Sequence, residues 1–489
     1  MGRDAEWAAA VRAWRSLLGA AHVVTAAEGR ERAVRGTFPG GAGARCVLLP
    51  GHRDEVAACL RIAHRRRLPV HPVSTGRNWG YGSVGPGPRE VAVLRLSRLD
   101  GVLDLDEALG TVTVQPGVTF GSLARHLAGA GSRRWPPATG AGPDTSVVGN
   151  VLQRGLGSGA YRDMAAQVRA LELVLPDGTP VRTRAPGATA DCAEEGPGPS
   201  VNGLFLQGGP AVVTSLTLAL HPAPERHQRV LFRLRDGCLA AVLDAARELL
   251  QRVPAGLTLD VRNRPRITAQ WPADPAAAPP PLPAALDGAW TGCAELWADS
   301  TGLLDATRDR VLARMSAYAE HWHLQAPAPG APPAGGSRGL ACAYRHKPAR
   351  TPDGLPPDPG RDRCGVLWFA PALPMRGADA ARVVDAVERA MTAHGIEPCV
   401  ALRLGARVLH CVAGLFWDRD DTAAESRALA CHRRLAADCA RLGAYPYRPL
   451  LARVPEQAVD ASVRELLARL WGAVDPRGVL SPPHGRPVP

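Results

Sequence analysis

Over residues 71–83 the chain reads HPVSTGRNWGYGS, small and glycine positions gathered around one arginine and one asparagine directly after the apolar LPV. Such a turn can aim the backbone N–H groups of Ser74, Thr75, Gly76, Arg77 and Asn78 at one point. That makes a concave nest able to hold a pyrophosphate without a metal, with glycine letting the backbone approach the anion. A tight connection between strands would use the same residues. The stretch is neither G-x-G-x-x-G nor G-x-x-x-x-G-K-[ST], so the dinucleotide and P-loop fingerprints do not apply.

The elements around the turn are those of a nucleotide-binding domain. RCVLLP reads as a strand, RDEVAACLRIAHRRR as a helix with Val56, Leu60 and Ala63 on its apolar face, and LPVHPVS as a strand that runs into the turn. EVAVLRL, GVLDLDEALGTVTVQPG and VRALELVLPDGTPVRT read as hairpin strands, the last with Pro-Asp-Gly at its turn, and FGSLARHLAGAG as a short helix closed by glycine. From about residue 225 the pattern changes to strand and helix in VLFRLRDGCLAAVLDAARELLQRV. The helices RVVDAVERAMTAHG, RALACHRRLAADCARLG and DASVRELLARLWGAV follow. Two proline-rich stretches, ADPAAAPPPLPAAL and APAPGAPPAGGSRG, read as surface loops, and the tail DPRGVLSPPHGRPVP as an extended segment.

Composition sets the outer limits. A chain of 489 residues that is 46% hydrophobic can bury a large core and suggests two or three domains. The formal charge of +12 comes without a dense basic run interleaved with aromatics, which argues against nucleic-acid binding. HRRRL at residues 64–68 reads as the solvated end of a helix. The eleven cysteines, an odd number without C-x-x-C spacing, read as buried thiols and not as a disulfide framework or a zinc site. Trp7, Val11, Trp14, Leu17 and Leu18 form the stripe of an amphipathic N-terminal helix, no cleavable leader or membrane-length apolar run is evident, and a cytoplasmic protein is expected.

Five stretches in fixed order, VSTGRNWGYG, LGTVTVQPGVTF, TSVVGNVLQRGLG, LELVLPDGTPVRT and NGLFLQGGPAVVTSLTLAL, resemble the flavin-binding domain of the vanillyl-alcohol oxidase and p-cresol methylhydroxylase family. GVLWFAPALPMRGADA, AYPYR and VDPRGVLSP extend the resemblance to the end of the chain. It implies an α+β fold: a PCMH-type FAD-binding domain of two subdomains over residues 41–224, preceded by a helical segment 1–40. An α+β cap, the substrate domain, follows over 225–441, and a C-terminal segment 442–489 closes the active site and returns to the FAD domain. The cofactor implied is FAD, wrapped by Ser74, Thr75, Gly76, Arg77, Asn78 and Gly82. Pro116, Gly117, Ser146, Val147, Gly149, Asn150 and Gly155 are expected under and around the flavin, and Val213 and Thr214 beside its adenine half.

The resemblance assigns Tyr81, Tyr447 and Arg448 to the phenolic oxygen of a substrate. A guanidinium and two phenol donors around one oxygen favour the phenolate, whose charge makes the benzylic carbon a hydride donor to flavin N5 and leaves a p-quinone methide. The chain departs from the family at two places. Where vanillyl-alcohol oxidase carries an aspartate near the flavin, spacing places Ala141, and Asp144 is the neighbouring candidate; the quinone methide can then be hydrated, lose a proton or be captured. Where that enzyme links FAD through histidine stands Val366, with Cys364 two residues earlier, and residues 33–44 contain no histidine, so non-covalent FAD is expected. The partners implied are a small phenolic substrate, oxygen or a redox protein as acceptor, and a second copy of the chain, with neither nucleic acid nor membrane. Two other functions stay open: oxidation of a non-phenolic alcohol, amine or hydroxy acid, with Arg448 on a carboxylate, and a flavin-binding partner protein with little catalysis.

Overall fold

The computed structural model describes residues 2–39, 43–82, 85, 90–185, 187, 192–193, 198–253, 256–269, 284–326, 338–347, 355–448 and 458–480. Most of the two proline-rich stretches, Ser83 and the tail beyond residue 480 lie outside them. The chain divides into two compact units, one of Met1–Gly157, Tyr161–Pro222 and Arg448–Pro489, the other of Ser158–Ala160 and Ala223–Tyr447. The N-terminal residues belong to the first unit, and its C-terminal part begins at Arg448.

The first unit holds two sheets. In one, β1 (Val23–Val24), β2 (Ala44–Leu48), β3 (Val70–Val73) and β4 (Val91–Arg95) lie in the order β1-β2-β4-β3, with β4 parallel to both β2 and β3. EVAVLRL is therefore a central parallel strand and not a hairpin strand. Its unbroken run Val91 to Leu94 is fully buried, as a strand covered on both faces requires. The helices α1 (Arg3–Leu18) and α3 (Arg53–Arg66), with the short α2 (Ala27–Ala33) between them in sequence, flank this sheet, and α1 and α3 share one core with β2 and β4. There Trp7, Trp14, Val56 and Leu60 pack together and Trp14 Nε1 donates to Cys59 O at 3.2 Å. This burial is why the N-terminal helix is part of the unit.

The other sheet is antiparallel, β5 (Val102–Asp106), β6 (Thr111–Val114), β7 (Val168–Val174), β8 (Pro180–Arg182) and β9 (Val212–Ala219) in the order β5-β6-β9-β7-β8. The β5–β6 and β7–β8 hairpins are those the turn residues predict; Gly178, at φ +89°, closes the second. Between β6 and β7 lie α4 (Phe120–Gly129), started by a reciprocal cap of Thr119 and Ser122, and the short α5 (Val147–Leu152). The C-terminal segment returns to this unit. Asp475 accepts from the N–H groups of Val479 and Leu480 at 2.9 Å each, and Val70 N donates to Val479 O at 2.7 Å.

The second unit is one nine-stranded sheet, antiparallel throughout. Its strands are β10 (Arg226–Leu234), β11 (Leu257–Asn263), β12 (Trp290–Ala298), β13 (Ala319–Gln325), β14 (Cys364–Phe369), β15 (Pro371–Pro374), β16 (Cys399–Leu404), β17 (Val408–Asp418) and β18 (Tyr445–Pro446). The order is β13-β10-β12-β11-β16-β17-β15-β18, with β14 and β15 end to end along β17. The helices α6 (Leu239–Arg252), α8 (Thr301–Met315), α10 (Gly377–Ala393) and α11 (Thr422–Arg441) pack on it, and the short α7 (Arg264–Thr268) and α9 (Arg338–Ala343) pack at one corner. Nine of the eleven cysteines are buried and all are free thiols. Among the described residues no helix is long and apolar enough to cross a membrane, and no group of His, Cys, Asp or Glu could hold a metal ion.

Asp475 is buried, and its two hydrogen bonds hold the returning strand edge. Asp475→Ala leaves two backbone donors without an acceptor, and at ~1 to 3 kcal/mol for each buried orphan the expected loss is at least 2 kcal/mol. A lowered urea midpoint at an unchanged slope checks it.

Candidate active site

The glycine turn leaves β3 and is held open by its own glycines: Gly76, Gly80 and Gly82 lie at φ +75°, +80° and +72°, a region that side-chain-bearing residues rarely enter. Thr37 fixes its far side by accepting from Gly80 N at 3.0 Å, a partner 43 residues away that no local pattern announces. The near side is tied to α5. Thr75 Oγ1 accepts from Ser146 N at 3.2 Å, Ser146 Oγ donates to Pro116 O at 2.7 Å and accepts from Gly149 N at 2.9 Å, and a Cβ on Gly149 would collide with Ser74 Oγ. Gly117 is equally crowded, since a Cβ there would stand 2.6 Å from Ser97 O and 2.7 Å from Leu99 O. Val147 N donates to Val118 O at 3.0 Å. The residues expected in the turn, at Pro116–Gly117 and at the start of α5 thus form one connected cradle.

The remaining expected contacts are spread around it. Asn150 donates to Thr139 Oγ1 at 3.5 Å, while its buried Oδ1 has no partner among the described residues. Gly155 abuts the Asn150 amide and donates to Asn150 O at 2.8 Å, so its lack of a side chain keeps that amide in place. Val213 and Thr214 are buried on β9, where Thr214 Oγ1 donates to Glu172 O at 3.2 Å within its own sheet. Their side chains therefore support the sheet. Arg77 lies over the Trp79 ring at 5.6 Å.

Arg448 is 7% exposed, and its guanidinium carbon sits 4.0 Å from the centroid of the Tyr81 ring. Its Nη2 donates to Asn78 Oδ1 at 2.9 Å, and its Nε has no hydrogen-bond partner among the described residues. Asn78 was expected to serve through its backbone N–H; its side chain instead joins Arg448, 370 positions on, a pairing outside the reach of any sequence pattern. Tyr447, the next residue back along the chain, ends the second unit, its ring edge-on to His410 with centroids 4.8 Å apart. Ala141 is half-buried and Asp144 is exposed in a turn. Val366 is buried on β14, and burial, with Asp362 nearby, pushes the Cys364 thiol up to about 12.

A turn of positive-φ glycines, a cradle that a Cβ would fill and an orphaned buried amide oxygen fit a nucleotide-bearing cofactor lying on the first unit. The family model that matches is an FAD binding domain, over residues 44–184. The chain is 34% identical to the 1'-carboxy-chondrochloren decarboxylase of Chondromyces crocatus, across 97% of this chain and 96% of that protein. It is 25% identical to the 4-cresol dehydrogenase (hydroxylating) flavoprotein subunit of Pseudomonas putida, across 88% and 85%. Among solved structures, p-cresol methylhydroxylase with substrate bound superposes with a TM-score of 0.85 at 21% identity, covering 98% of this chain and 96% of that one.

Gly76 tests the cradle. Asparagine and aspartate tolerate a positive φ about equally, yet only aspartate places a charge against a bound pyrophosphate. Gly76→Asp is expected to bind FAD about tenfold more weakly than Gly76→Asn, near the scale of one unfavourable charge contact. Titration of the apoprotein with FAD checks it, and equal loss in both variants would assign the effect to backbone strain.

Proposed function

We propose, from the premise that this chain belongs to the PCMH-type family of FAD-linked oxidoreductases, that it oxidises a phenol at the benzylic carbon of its para substituent. The observation that carries the reading is Arg448: a guanidinium withdrawn from water, laid on Tyr81 and pinned by Asn78, with Nε still available. Such a group needs an anion, and a substrate phenolate supplies one. We assign Tyr81, Tyr447 and Arg448 to that oxygen, which they hold ionised. FAD, when bound, supplies the acceptor for the hydride that leaves the benzylic carbon. Because the arginine that binds the oxygen also stabilises the charge that drives hydride loss, binding and activation come from one set of contacts.

The chain's likeness, over nearly its whole length, to a protein named as a decarboxylase of a carboxy compound favours one fate of the resulting p-quinone methide. If the carbon next to the benzylic one bears a carboxylate, its C–COO bond breaks and the electron pair forms a carbon–carbon double bond. The ring returns to phenolate and CO2 departs, with no proton removed. The sum is substrate to alkenyl phenol, CO2 and one hydride.

The FAD is held without a covalent bond. Val366 offers no nucleophile, and Cys364, a protonated and buried thiol, is a poor one. Acid precipitation should leave all the yellow colour in the supernatant; flavin fluorescence in the denatured protein would overturn this.

Arg448→Ala is expected to slow anaerobic flavin reduction by a 4-alkylphenol by about two orders of magnitude, the scale of losing one preorganised charge contact. Arg448→Lys should recover little, since it lacks the planar fork. The O-methyl ether of the same phenol keeps the shape and loses the ionisable oxygen. Equal reduction rates with both compounds would replace the phenolate reading by that of a hydroxy acid or amine.

A further inference from the structure

One pair of thiols in the second unit stands in a setting unlike that of the others. Cys342, in α9, and Cys399, the first residue of β16, are buried in one cluster with Tyr344, Cys364 and Phe416, at 0% and 1% exposure. The two share a hydrogen bond, and Arg266 Nη1 donates to Cys399 Sγ at 4.0 Å. The same guanidinium lies over the Trp368 ring at 4.9 Å. The neighbouring chain holds the pair in place. Asn263 caps α7 by accepting from Arg266 N at 3.1 Å and also brackets Cys399: its Oδ1 accepts from Val400 N at 3.0 Å, and its Nδ2 donates to Pro398 O at 2.7 Å. Three residues past Cys342, Arg345 grips Glu397 with both arms of its fork, Nε and Nη2 each donating at 3.2 Å. Asn263 thus fixes Cys399 against Arg266, and Arg345 fixes the end of α9 against the entry to β16.

Two further pairs of buried cysteines lie within electrostatic reach of each other, Cys46 with Cys59 in the first unit and Cys411 with Cys439 in the second. Burial pushes all four thiols up, which keeps them protonated and inert. At Cys342 burial pushes the same way, but the hydrogen bond with Cys399 and the charges of Arg266 and Arg262 outweigh it and bring the thiol below its ordinary value. Cys399 moves well above its own, through burial and the hydrogen bond with Cys342. One member is the readier nucleophile and the other keeps its proton, the division between an attacking and a resolving thiol.

The geometry points to Cys342 and Cys399 as a site of reversible oxidation, with hydrogen peroxide as the oxidant and a disulfide between α9 and β16 as the product. The Cys342 thiolate attacks one peroxide oxygen, the O–O bond breaks, and the hydroxide released takes the proton of Cys399. Cys399 then attacks the sulfur of the Cys342 sulfenic acid. The S–S bond forms as the S–O bond breaks, and the second hydroxide takes up the proton that Cys342 had first given up. Two thiols and one peroxide become one disulfide and two waters, each sulfur giving up one electron. Access comes through α9. Its six residues are too few to hold a helix without packing, so its brief opening admits a molecule little larger than water. The site lies within the second unit and is independent of the phenol reading above.

The test treats the FAD-bound enzyme with hydrogen peroxide, removes the excess with catalase, alkylates the remaining thiols under denaturing conditions and maps the tryptic peptides. Cys342 is the one cysteine of peptide 339–345 and Cys399 that of peptide 390–403, so the proposed disulfide joins these two. The expected result is this linked species, with two fewer free thiols than the eleven of the untreated chain, all recovered with dithiothreitol. It should form at least about tenfold faster than any link between Cys46 and Cys59 or between Cys411 and Cys439. Cys342→Ala and Cys399→Ala are each expected to abolish it, and in Cys399→Ala a cyclic 1,3-diketone should capture a sulfenic acid at Cys342. An unchanged thiol count, a link that forms first at either other pair, or oxidation of Cys342 to the sulfinic acid with no linked peptide would overturn the proposal. So would diketone capture at Cys399 in the Cys342→Ala variant. The peptide map is read on the unaltered protein and decides the matter even where an alanine variant does not fold.

Discussion

A guanidinium taken out of water has to be met by other groups, and Arg448 is the point at which this constraint bears on the first unit. Its carbon lies over Tyr81 and its Nη2 reaches Asn78, so both ends of the glycine turn's second half depend on a residue from the far end of the chain. The turn in turn is fixed by Thr37 on one side and by Ser146 on the other. The segment that begins at Arg448 is itself fastened further on, where Asp475 bonds Val479 and Leu480 and these join the edge of β3. β3 is the strand that delivers the turn. The cation is therefore held by a loop of structure that starts and finishes on the same strand.

How far this could be read from sequence depended on the range of each interaction. The glycine turn, the β7–β8 hairpin and the helix of FGSLARHLAGAG are local: positive φ, Pro-Asp-Gly and a Thr-x-x-Ser cap leave marks within a few residues. EVAVLRL was misjudged because a run of apolar residues reports burial and not the direction of the neighbouring strands. The side chain of Asn78 answers to Arg448, a partner no local pattern announces, and Thr37 carries no signature at all. The N-terminal helix shows its amphipathic stripe, but nothing in that stripe says that Trp14 will bond the backbone of α3.

The sheet of the second unit shows a deeper limit. RHQRVLFRL alternates as a half-exposed strand should, and its charged positions invite assignment to solvent. Periodicity separates the two faces of a strand but does not say what lies over the polar one. Only the register, strand by strand, reveals that Asp260, Arg262 and Arg403 are neighbours and that they are largely withdrawn from water. Charges drawn from two distant segments compose a feature that neither displays alone.

On the proposed reading, the position that spacing assigns to an acid near the flavin is held by Ala141. A quinone methide that is to become an alkene by losing a proton needs a base beside the departing hydrogen, and one that is to be hydrated needs a group to direct water. Ala141 can do neither, and Asp144 lies exposed in a turn. A substrate carrying its own leaving group has no such need, because breaking the C–COO bond supplies the electron pair that a base would otherwise release.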